Sequence, residues 1–80
     1  MKDIKVLGSG CRNCQLTAEL VQREAEALGV DVHLEKVTDV VDIMGWGVMK
    51  TPGVVVDGRV VHAGGVPQVA AVREWLGAGT

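Results

Sequence analysis

The sequence predicts an α/β fold ordered β-α-β-α-β-β-α, a four-stranded mixed sheet flanked by helices, built as a single domain over residues 1–80. Three observations carry this. An apolar run, Ile4 to Leu7, hands over through Gly8-Ser9-Gly10 to a long helical pattern. A second alternating stretch follows that helix, as a helical crossover between parallel strands requires. Two β-branched runs then meet at Asp57-Gly58, a pair that favours a tight hairpin with positive φ.

Each element has its own local reason. From Cys11 to Leu28, the residues Cys14, Ala18, Val21, Ala25 and Leu28 fall on one helical stripe, widened by Leu16 and Leu20. Glu19, Gln22, Arg23 and Glu26 take the outer face, and Gly29 supplies the left-handed position that stops the helix. Val30 to Val37 alternates Val32 and Leu34 with Asp31, His33 and Glu35, a strand with one polar face. Thr38 or Asp39 caps a short helix through Val40, Val41, Ile43 and Met44, which Gly45 and Gly47 break around Trp46. The chain then runs extended to Pro52. The hairpin strands are Val54 to Val56 and Arg59 to Ala63, ended by Gly64-Gly65. Pro67 suits the first turn of a last helix, with Val69, Val72 and Leu76 inward and Gly77 near its end.

Composition narrows the function. Eighty residues with 48% apolar content, no Phe or Tyr and two Trp must build a small core from Val, Leu, Ile, Ala and Met. A net charge of −2 without a Lys/Arg cluster argues against nucleic acid and anionic membrane as partners. No apolar run reaches the ~18 residues of a membrane span. Met1-Lys2-Asp3-Ile4 enters a strand pattern without a signal-like apolar region, so the expected compartment is the cytoplasm. A monomer is the expected state.

Both cysteines lie in Cys11-Arg12-Asn13-Cys14, where strand gives way to helix. Cys14 belongs to the buried stripe and Cys11 stands just before it, beside unpaired helix N–H groups and the positive end of the dipole. That setting stabilises a thiolate. A bridge between the two closes too small a loop to brace the fold, which leaves redox chemistry or metal binding. Arg12 adds a fixed positive charge beside the pair, or is simply solvated. Trp46, between two glycines, lines a substrate surface or packs as a half-buried aromatic. Lys50 reads as a nearby charge or a solvated lysine, and Met49 as a core filler.

The Cys-x-x-Cys after the first strand, Gly47-Val48-Met49-Lys50-Thr51-Pro52 before the third, the Val54 to Ala63 hairpin, Gly64 and the terminal helix together resemble the thioredoxin superfamily. The likeness is greatest to its small, glutaredoxin-sized, thioredoxin-like prokaryotic members, redox-active disulfide proteins. The resemblance implies a thioredoxin-like fold and a cis Pro52 packed beside the dithiol, with the Thr51 backbone open to pair an extended substrate like an added strand. It implies a thiol–disulfide oxidoreductase with Cys11 as nucleophile and Cys14 as resolving thiol. Thr51, Pro52, Arg12 and Trp46 are then the substrate-binding candidates, and the redox-active disulfide is the only cofactor. The implied partners are disulfide-containing proteins and a reductase. The Trp-Cys-Gly-Pro-Cys signature of true thioredoxins is absent, and Lys5 stands where they carry a buried Asp. Val66-Pro67 follows Gly64-Gly65, which gives no acidic or hydroxyl residue for glutathione.

Two metal readings compete. Small metal carriers also place Gly-x-x-Cys-x-x-Cys after a first strand, and a thiolate pair suits Cu(I) or Zn(II). Here Ser9 replaces their usual Met, the chain closes on a helix, and Thr51-Pro52 has no role. A zinc site of Cys11, Cys14, His33 and His62 lacks ligand spacing between the histidines, which read as surface residues.

Overall fold

The computed structural model describes residues 2–8, 10 and 12–77. The elements are β1 (Lys2–Leu7), α1 (Arg12–Leu28), β2 (Val32–Val37), α2 (Val40–Gly45), β3 (Gly53–Val56), β4 (Arg59–Ala63) and α3 (Val69–Trp75), in the expected order. They form a thioredoxin-like α/β fold. The sheet order is β2-β1-β3-β4, with β1 parallel to β2 and antiparallel to β3, and β3 antiparallel to β4.

The boundaries follow from hydrogen bonds. β2 begins at Val32 rather than Val30, because the end of α1 claims the intervening donors. Gly29, at φ 68°, donates to Glu26 O, and Val30 donates to Ala25 O. This double bond pattern caps the last carbonyls of the helix. Asp39, not Thr38, caps α2, its carboxylate accepting from Val41 N–H at 2.8 Å. Asp57 and Gly58 both have positive φ, 49° and 84°, as the tight hairpin turn demands. Val54 pairs with His62 and Val55 with Val60, which leaves Val61 as a bulge. Pro67 is buried but lies before the helix. Gln68, extended at φ −77° and ψ 150°, is the N-cap of α3.

Alternation along the strands sends side chains to two faces. On one, Ile4 and Val54 meet Leu20, Val21 and Ala25 of α1 and Val72 and Leu76 beside α3. On the other, Leu7 and Val55 meet Ile43 of α2 and Val48. The buried stripe of α1 departs from expectation. Leu16 and Leu28 are exposed, and Leu16 lies about 200° around the helix from Cys14. Thr17 and Glu24 are buried instead, three residues after Cys14 and Val21. Thr17 Oγ1 donates to Asn13 O at 2.7 Å, and Glu24 accepts from Arg73 Nε on α3 at 2.7 Å. Val69 is exposed as well. Among the described residues, no helix is long and apolar enough to cross a membrane.

Candidate active site

The site grows from the end of β1. Gly8 N–H donates to Val37 O at 2.9 Å, which extends the β1–β2 ladder by one residue. The chain then turns through Gly10, at φ 85°, into α1. Ser9 and Cys11, the expected nucleophile, lie outside the described residues. The first turn of α1 contains Arg12 and Asn13 and no acidic residue, so nothing there opposes negative charge at the helix start. Arg12 is exposed.

Cys14 is disulfide-bonded and only 6% exposed. Its sulfur is seated against the backbone of Gly8. A Cβ built on Gly8 would overlap Cys14 Sγ, lie 2.9 Å from Cys14 Cβ and stand 3.8 Å from Thr51 Cβ. Residues 37 positions apart are thus brought to one point. The Thr51–Pro52 peptide bond is cis. Pro52 is fully buried, whereas Thr51 is exposed. Pro52 O accepts from Gly64 N–H at 2.9 Å, so the segment after β4 is bound to the same place. Gly53 admits Val48, whose methyl carbons would be 2.9 and 3.2 Å from a Cβ there.

Beside Thr51 lies an open groove of about 330 Å³ lined by Val40, Ile43, Met44, Gly47, Val48 and Met49. None of these side chains carries charge. Met49 is 94% exposed and Met44 69%, so Met49 is a surface residue and not a core filler. The sequence pattern missed this groove, although both methionines flank the α2–β3 connection. Trp46 does not line it. Trp46 is half-buried on the Leu7–Ile43–Val48–Val55 cluster and borders a different groove, with Lys5, Glu35, Val37 and Val41. Lys50 lays its stem over Gly64, with Cβ 3.2 Å from where a Cβ of that glycine would be.

Lys5 occupies the α2 face of β1 and is held by two carboxylates, Asp3 at 3.1 Å and Glu35 at 3.4 Å. The hydrogen bond to Asp3, aided by Glu35, raises its ammonium above the ordinary lysine range. Its charge is thus engaged by carboxylates at the middle of the sheet. The proposed zinc set does not assemble. His33 is exposed on β2 and His62 stands on β4, the two outer strands, three strand spacings or about 14 Å apart. His62 is half-buried rather than a free surface histidine. Its Nε2 lies 2.8 Å from Gly65 O, and its ring is tilted against Trp75 at 5.9 Å.

A family model described as Thioredoxin domain matches residues 2–77. The chain is 42% identical over 73 residues to a thioredoxin of Methanocaldococcus jannaschii, covering 91% of this chain and 84% of the relative. It is 30% identical over 76 residues to a thioredoxin of Methanothermobacter thermautotrophicus, covering 95% of this chain and 99% of the relative. The likeness therefore runs from β1 through α3 and takes in both halves of the site, and on it the chain belongs to the thioredoxin-domain family as a small member.

Proposed function

We propose that the thiol–disulfide oxidoreductase activity of this chain runs through Cys11 and Cys14 and reduces protein disulfides. The Cys11 thiolate attacks a substrate disulfide to give a mixed disulfide. Cys14 then attacks the Cys11 sulfur, which closes the Cys11–Cys14 bridge and releases the substrate as a dithiol. A reductase or small dithiol returns the two electrons, and the bridge itself is the only redox group. The observation that carries this reading is the seat of Cys14: disulfide-bonded, buried, and against the same glycine that Thr51 approaches.

Thr51, exposed beside buried Pro52, presents backbone to an extended substrate segment. The uncharged groove next to it receives apolar side chains of that segment. Two methionines line it, and flexible thioethers adapt to differently shaped partners. Arg12 contributes positive charge at the mouth of the site. Trp46, on the other groove, has no part in this reading. The protein works as a monomer in the cytoplasm, where the surroundings keep such a dithiol reduced. Insulin reduction driven by dithiothreitol tests the proposal. The wild-type chain should accelerate it and Cys11→Ser should not; retained turnover in Cys11→Ser would remove Cys11 as nucleophile.

A further inference from the structure

We propose that Gly8 is the positioning residue for the resolving sulfur: its missing side chain leaves a slot at the end of β1 that seats and screens Cys14 Sγ. The inference rests on the dithiol reading above and adds a residue to it. The two glycines of the loop differ in what they supply. Gly10 has φ 85° and nothing within 4 Å of a built Cβ, so it is required for backbone shape. Gly8 does not have a positive φ, so the left-handed shape that calls for glycine at Gly10 is not what it supplies. What it supplies is room. Any side chain there would occupy the place of Cys14 Sγ, with Thr51 Cβ closing the far side at 3.8 Å.

Both neighbours are held against a large retreat. Gly8 is buried and tied to Val37 O at 2.9 Å, so the strand end is fixed. Cys14 rides on α1, whose Val21 and Ala25 are 0% and 1% exposed in the core, so the helix start cannot lift far without opening it. A small give at the helix start eases the 2.9 Å approach to Cys14 Cβ, and the larger displacement falls on the sulfur.

Its position matters for one step. In resolution the Cys14 thiolate attacks the Cys11 sulfur of the mixed disulfide, and the Cys11–Cys14 bond forms as the bond to substrate breaks. The electron pair leaves on the substrate thiolate, and the Cys14 proton passes to solvent. The protein dithiol is oxidised and the substrate disulfide reduced. An in-line approach of this kind loses about a hundredfold in rate for an error of about 1 Å. The initial attack by Cys11 does not use the slot.

The experiment follows the two steps separately. Reduced wild type and Gly8→Ala are mixed with insulin, quenched in acid, and the covalent adduct is followed by mass. In Gly8→Ala, adduct formation should stay within about twofold while its resolution slows about ten- to a hundredfold and adduct accumulates. Alkylation of Cys14 by iodoacetamide in the reduced variant should rise about tenfold as the sulfur leaves its screen. Resolution and alkylation at wild-type rates would overturn the role of Gly8. Cys14→Ser separates this from the dithiol reading. If it traps adduct while Gly8→Ala resolves normally, only the slot fails; if it traps none, the dithiol reading fails.

Should Gly8→Ala not fold, urea unfolding of reduced Cys14→Ala with and without Gly8→Ala decides. Removing the sulfur clears most of the overlap, so the double variant should recover most of the lost midpoint. A loss as large as in the Cys14 background would overturn the slot.

Discussion

The two faces of the sheet are built to different standards. Under α1 and α3, Ile4, Val21, Val54 and Val72 are wholly buried, and two helices close over them. Under α2, a smaller cluster of four residues reaches from Leu7 to Val55, and beside it the same face carries Lys5, Asp3 and Glu35 in ion pairs. Around α2 the large apolar side chains point outward: Val40, Val41, Met44 and Met49 are all exposed. One face holds the molecule together, and the other leaves surface free for partners. Cys14 bridges them, carried by the helix of the first face to the edge of the second.

That contrast sets the expected order of effects. The largest belongs to the closed face. Ile4→Ala should cost about 2–5 kcal/mol in urea unfolding, because a core shut on both sides relaxes little around a cavity. Ile43→Ala, beside an open groove, should lie at or below the bottom of that range. An equal loss at the two positions would erase the distinction. Next comes the brace between α1 and α3. Arg73→Ala leaves the Glu24 carboxylate buried without its 2.7 Å partner, and the cost should be about 1–2 kcal/mol since Arg73 itself is exposed.

Smaller still, and of another kind, is the effect of Met44→Asp. It should raise KM for a protein disulfide by about three- to tenfold, a loss near 1 kcal/mol of apolar contact, and leave the thermal midpoint within about 2 °C. Reduction of a small, uncharged disulfide should be unchanged. If protein and small disulfides respond alike, the groove has no part in docking.

The smallest effect is electrostatic, at the end of the sheet away from the site. Asp3 N–H donates to the Asp57 carboxylate at 2.9 Å and, with Lys2 nearby, lowers its pKa below 3.8. The stability that this adds is therefore full above that ordinary value and lost as pH falls through the lowered one. Asp57→Asn should flatten the acid limb of the urea midpoint between about pH 5 and about pH 2. Lys5 acts in the opposite sense. Its raised pKa gives stability that is full below 10.5 and lost as pH climbs through the folded value.

Element order and the hairpin were legible because short-range signals determine them. Asp57-Gly58 needs positive φ at both positions, and Gly29 and Asp39 are capping residues whose chemistry is local. The pairing of Cys14 with Thr51-Pro52 was readable only through likeness to a family, since no local rule joins positions so far apart. Three features were hidden for physical reasons. Glu24 looks like a surface residue until Arg73 arrives from another helix. Gly8 looks like flexible loop, although its role is close approach and its φ is not positive. Trp46 between its glycines fits a substrate surface or a half-buried aromatic equally well, and only the cluster of Leu7, Ile43, Val48 and Val55, assembled from distant positions, shows the ring packed.

The bond from Gly64 N–H to Pro52 O continues the β3–β4 ladder one step past the pair Gly53 and Ala63. The hairpin is therefore a gauge. Its length is set at the far tip by Asp57 and Gly58 and at Val61 by the bulge, and the count of residues between tip and site determines which amide meets Pro52. Side chains along the strands can be exchanged without altering that count. A single inserted or deleted residue cannot: it would bring the wrong amide to Pro52 and turn the following side chains to the opposite face. Length, more than identity, is what this part of the chain must keep.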